Sequence, residues 1–340
     1  MTNGGSIVAI TTYIHELVLP QQRMAIKTYT NWGTVRLITT WICYYVQNWR
    51  YASMICSLCA LPALIIIIFV FPESPPWLYS KKKYAQLKET QAYIAKIGKT
   101  PFVEVPQGVS TQKMNYLDIW KNSKARILII IMCFMWFTAS ITSYTNDLNS
   151  TAMPGSFWLV QSLFSIVGCF ASVALGLTDH LYQKLNRRNL HHYNQFLAIL
   201  CFIGVGFLFA FKLEGYLLLA FYIVGCMCIG YTWDACYLCT IESVPTSVRG
   251  AALGTCSLVA RIGALLSPAL ALLASWWQPA AYIVVCLIGT LNLVLSWKFL
   301  PDTKGIDLTQ VRVKLHHIEE NAEIEPITNE EPKIVIENFL

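Results

Sequence analysis

The chain has 340 residues, of which 55% are apolar and only 13% charged, and its mean hydropathy is +0.49. Soluble domains usually carry about 25% charged residues, so this much apolar surface excludes a water-soluble domain. The formal net charge of +6 reports membrane topology and contact with anionic lipid, not nucleic-acid binding.

Apolar blocks close to the twenty or so residues that cross hydrocarbon predict nine transmembrane helices. They lie at about 4–20, 28–46, 51–71, 126–145, 156–177, 193–211, 215–240, 250–274 and 280–300. In lipid the backbone must satisfy its own hydrogen bonds, and stretches such as Leu61–Phe71 and Ile127–Phe137 lack the two-residue alternation of a barrel strand. The expected fold is therefore an all-α polytopic bundle. Between the third and fourth spans runs one long basic loop, residues 79–125, with amphipathic helices expected at Tyr84–Ile97 and Tyr116–Lys121. After the last span, the Glu-rich tail 306–340 reads as disordered.

Basic residues set the orientation. With the N-terminus outside and the C-terminus cytoplasmic, 21 of the 25 Lys and Arg fall in cytoplasmic segments. Only Arg50 and Lys212 fall outside, and Arg36 and Arg261 lie within spans. Twelve cysteines include two C-x-x-C pairs, Cys56/Cys59 and Cys236/Cys239, but both lie in apolar spans without a second ligand pair. They read as packing residues, and no metal or cofactor is expected. Asn149-Ser150-Thr151 is a formal glycosylation sequon in an external loop.

The most informative pattern is an internal repeat. Glu16-Leu17-Val18-Leu19-Pro20-Gln21-Gln22-Arg23 recurs 226 residues later as Glu242-Ser243-Val244-Pro245-Thr246-Ser247-Val248-Arg249. Phe71-Pro72-Glu73-Ser74 recurs as Leu300-Pro301-Asp302-Thr303 at an offset of 229, and Arg36 answers Arg261 at 225. A duplicated bundle of this kind points to a transporter of two pseudo-symmetric halves with a midplane site between them. Residues 1–78 then form a partial first half, 79–125 the loop between halves, and 126–305 a six-span second half. Symmetry places three further spans before Met1.

These segments resemble the organic cation/anion/carnitine transporter family of the major facilitator superfamily. Pro72–Leu78, PESPPWL, is similar to that family's P-E-S-P-R-W-L, with Pro76 in place of the arginine. Ile241–Gly250 resembles its E-x-x-P-T-x-x-R segment, Leu258–Leu270 its eleventh span, Leu300–Gly305 its closing L-P-E-T-x-G, and Met135–Tyr144 its seventh span. The D-R-x-G-R-R loop motif is stretched here to Asp179–Arg188. The resemblance implies twelve spans, of which this chain matches the fourth to twelfth, and a major-facilitator-type two-half bundle in the plasma membrane.

Arg261 lies 12 residues past Arg249, about 18 Å along a helix, where a charge must face a partner or a water-filled cavity. The resemblance makes it a cationic anchor for a substrate carboxylate; the structural alternative is an ion pair with Asp234. Asp234 itself could pair, bind a cationic group or titrate. Arg36 either contacts substrate or pairs with a residue outside the chain. Trp136, Phe137, Tyr144, Trp233 and Tyr237 fall in spans whose family counterparts line the cavity, where aromatic faces hold flat organic ions; packing is the rival for each. Glu16, Arg23, Asp179, Arg187, Arg188, Glu242 and Arg249 form the expected cytoplasmic gate of ion pairs. His191-His192 falls in a basic cytoplasmic turn, and no nucleophile–base constellation suggests an enzyme. The expected function is transport of small organic ions, anions or zwitterions by preference, through a lipid bilayer. The rival reading is a truncated, non-transporting chain that associates with a full-length transporter.

Overall fold

The computed structural model describes residues 32–98, 120, 123–181, 186–213, 215–244 and 246–300, together with residues 9, 10, 13, 14 and 17. The first predicted span, the helix at 116–121 and the acidic tail lie outside or almost outside these residues, as do Glu16 and Arg23. In chain order the helices are α1 (Trp32–Val46), α2 (Trp49–Phe69), α3 (Pro75–Ser80), α4 (Tyr84–Gly98), α5 (Ser123–Asn149), α6 (Phe157–Leu181), α7 (Arg187–Ala210), α8 (Tyr216–Ser243), α9 (Thr246–Trp276) and α10 (Gln278–Phe299). Among the described residues, seven helices are long and apolar enough to span a membrane: α2 and α5 to α10. The described part of the second predicted span, α1, has 15 residues.

Local chemistry explains the ends. In the PESPPWL segment, Ser74 caps α3 by accepting a hydrogen bond from the Trp77 amide, and Pro75 takes the first helical position, where its missing N–H costs nothing. The chain runs on from α3 into α4, which is tied back to the end of α2 when the Tyr93 hydroxyl donates to Val70 O at 3.1 Å.

Helices α5 to α10 supply the core. Helix α5 packs closely against α9, and α7 against both α8 and α10. Lipid offers no hydrophobic drive between helices, so close backbone approach and interhelical hydrogen bonds hold them together. Ser140 donates to Ala260 O at 2.6 Å and Ser267 to Ile141 O at 3.3 Å, both between α5 and α9. Gly263 permits the approach, because a Cβ there would lie 2.8 Å from Phe137 O, a backbone atom. We expect Gly263→Leu to separate the two helices and cost about 1–3 kcal/mol, read as a lower melting temperature of the purified chain. Helix α1 packs along α6.

Candidate functional site

A cavity of about 460 Å³ opens where α1, α5, α6, α8 and α9 converge. Both signs of charge reach it: Arg36, Asp147, Asp234 and Arg261 all line its wall. So do Trp136, Tyr144, Trp233 and Tyr237. The structure thus gathers seven of the eight residues singled out for substrate contact. Phe137 is the exception. Its ring stacks on Phe134, 6.2 Å between centroids, because one residue past Trp136 on a helix is a rotation of about 100°.

The aromatic wall is tightly built. Trp136 stands edge-on to Tyr237 at 4.3 Å and to Trp233 at 5.5 Å. Both indoles are fixed by hydrogen bonds, Trp136 donating to Thr240 Oγ1 at 3.1 Å and Trp233 to Ser143 Oγ at 2.9 Å. Trp136 is buried, so it supports the wall, while half-buried Trp233 and Tyr237 offer faces to the cavity. Such faces attract organic cations and flat rings.

Arg261 is exposed to the cavity and donates to the Tyr144 hydroxyl at 3.3 Å. A guanidinium has five N–H donors, and this neutral phenol takes one. Arg36 is differently placed. It pairs with Asp147 at 2.8 Å, donates twice to Gln161 Oε1 at 2.6 and 3.1 Å, and sits 4.3 Å over the Phe164 ring. Of the two readings of Arg36, substrate contact or pairing with a residue outside the chain, the second changes in one respect: the partners described are Asp147 of α5 and Gln161 of α6. Neither was singled out in the sequence. Asp147 falls just past the predicted end of its span at 145, but the helix continues to Asn149 and carries the carboxylate into the cavity.

At the opposite end of α8, Arg187 and Glu242 approach to 3.8 Å with side chains only 2% and 3% exposed. Arg249, fully buried, donates to Ile241 O at 3.1 Å, and Arg188 donates to Trp297 O at 2.5 Å. The Arg187–Glu242 pair joins α7 to α8, and the Arg36–Asp147 pair joins α1 to α5. Asp179 lies in the last turn of α6.

One further expectation changes. His191 and His192 are not in a turn but in the first turns of α7, both buried; His192 stacks on Trp297 at 5.1 Å and His191 Nε2 lies 3.4 Å from Asn292 Nδ2. Asn149 of the formal sequon is 9% exposed.

The model of the family described as Major Facilitator Superfamily matches residues 31–268. Among curated proteins, the chain is 33% identical to the uncharacterized protein F23F12.3 of Caenorhabditis elegans, over 89% of this chain and 62% of that protein. It is 28% identical to solute carrier family 22 member 16 of Xenopus laevis, over 91% of this chain and 56% of that protein. With solute carrier family 22 member 7 of Mus musculus the identity is 24%, over 90% and 58%. The chain thus spans about 56–62% of the length of these relatives. Among solved structures, a double-tryptophan mutant of XylE shares the fold with a TM-score of 0.65 at 17% identity, covering 90% of this chain and 70% of that one. The inward-open xylose transporter XylE from E. coli follows at 0.56 and 17%, covering 89% and 68%. The chain is a membrane protein of the Major Facilitator Superfamily, and it is similar to members of solute carrier family 22.

Proposed function

We propose that this chain carries small organic ions across a lipid bilayer, with organic anions or zwitterions preferred over simple cations. The observation that carries the reading is Arg261: a guanidinium open to an aromatic-walled cavity between the two halves, with a neutral phenol as its described hydrogen-bond acceptor. A carboxylate placed there gains a bidentate, charge-assisted pair, while Trp233 and Tyr237 hold the flat body of the solute. The carriers among its relatives and the shared fold of the xylose transporter XylE support transport as the activity. The mechanism consistent with the repeat is alternating access, the halves rocking about the cavity. Nine spans, an external N-terminus, a cytoplasmic C-terminus and residence in the plasma membrane complete the proposal. Asp234, on the same wall, would receive the cationic end of a zwitterion.

The test is uptake in cells expressing the chain, with surface delivery measured in parallel. Labelled benzoate, glycine betaine and tetraethylammonium represent the three charge classes. Uptake of benzoate or betaine well above that of tetraethylammonium is expected. Preferential uptake of tetraethylammonium would overturn the charge preference, and no uptake of any of the three despite surface delivery would overturn transport of this class.

A further inference from the structure

The cluster around Arg36 is built with more care than a cavity wall requires. Arg36 belongs to the first half, whereas Asp147 and Gln161 belong to the second, on either side of the turn that joins α5 to α6. The acceptors are themselves held in place. Gln161 Nε2 donates to Ser150 Oγ at 3.1 Å, and Ser150 Oγ donates to Asp147 O at 2.7 Å. Gln161 is buried, yet the Asp147 side chain is 42% exposed and faces the cavity. Eight residues further along α6, Cys169 Sγ meets Thr34 Oγ1 of α1 at 3.4 Å, closing the same seam.

An ion pair placed this way has two consequences. It must break whenever α1 parts from α5 and α6. Its acid is also the same functional group as an organic anion, and both sit in one cavity. We propose that Asp147 is a tethered competitor at Arg36, a second guanidinium of the cavity that an organic anion meets apart from the Arg261 anchor, and that its displacement by the anion releases α1 from α5 and α6. This rests on the transport reading of the same cavity. A ligand shifts a conformational equilibrium only through its differential affinity for the two states, and competition for Arg36 supplies that difference. Anions that reach Arg36 unlatch the seam; tetraethylammonium, with no carboxylate, leaves it shut. Asp147 is thus a specificity-determining residue, and it acts by holding Arg36 rather than by binding the substrate.

The experiment reads the seam directly through Cys169. The purified chain in lipid nanodiscs is treated with a maleimide, and modification of Cys169 is followed by peptide mass spectrometry with and without benzoate. Asp147→Asn and Arg36→Ala should each speed modification about fivefold or more, within the ordinary range of site-to-site coupling. Benzoate should accelerate it in the wild type and in Asp147→Glu, and should add little in Asp147→Asn. In cells, Asp147→Asn should lower KM for benzoate about five- to tenfold, an effect absent when Arg36→Ala is also present. A Cys169 rate in Asp147→Asn equal to that of the wild type overturns the proposal. So does a faster rate in that variant with no response of the wild type to benzoate, since Asp147 would then be only a structural tie. Uptake with an unresponsive Cys169 sinks the competitor alone, whereas a responsive Cys169 without uptake sinks the transport reading alone.

Discussion

Replacing Arg261 by alanine will lower kcat/KM for a carboxylate substrate about 30-fold or more while leaving the amount of protein at the surface unchanged. The magnitude follows from removing one partner of a desolvated charge pair, about 2–5 kcal/mol, at 1.4 kcal/mol for each factor of ten. The fold should tolerate the change. Arg261 is exposed on α9, and its described contact is a 3.3 Å hydrogen bond to Tyr144, whereas the α5–α9 packing rests on Ser140, Gly263 and Ser267. Arg261→Lys separates charge from geometry: it keeps the cation and loses the planar fork. Partial rescue by lysine would mean that charge alone anchors the solute. Equal uptake by the wild type and Arg261→Ala, at equal surface levels, would remove Arg261 from the binding site.

Arg261 was legible in the sequence because a charge in the middle of an apolar span must have a reason. Asp147 was not, although the two line one cavity. Its position at the edge of a hydropathy block made it look like a loop acid, and the polar run Thr145-Asn146-Asp147 hid the extra turn of α5. Gln161 is neutral, and a lone amide in an apolar span carries no cost large enough to draw attention. The same bias displaced the start of α7. Arg187, Arg188, His191 and His192 counted against a span in any hydropathy window, so the predicted helix began at 193, yet the described one begins at Arg187. Hydropathy sees composition averaged along the chain. It cannot see that buried polar side chains face one another across helices, as His191 and Asn292 do. The helical architecture, by contrast, follows from backbone hydrogen bonding in lipid, and it is the part of the fold that the residues announced most clearly.

The Arg187–Glu242 pair should govern stability rather than turnover. At 3.8 Å, with both side chains 2–3% exposed, it ties the start of α7 to the end of α8. Removing one member takes this buried counter-charge from the other, a loss of about 3–5 kcal/mol. Arg187→Met is therefore expected to lower the melting temperature on the order of 5–10 °C and to reduce surface delivery. Arg187→Met combined with Glu242→Leu removes both charges and should recover much of the loss, because a packed apolar pair of similar volume often replaces a buried ion pair without penalty. Thermal unfolding of the three purified variants in detergent decides the matter. If the double variant melts no higher than Arg187→Met, the two charges act separately, each through other contacts, and the pair is not the brace between α7 and α8. If it recovers stability but transports more slowly at equal surface density, the pair also takes part in the proposed transport.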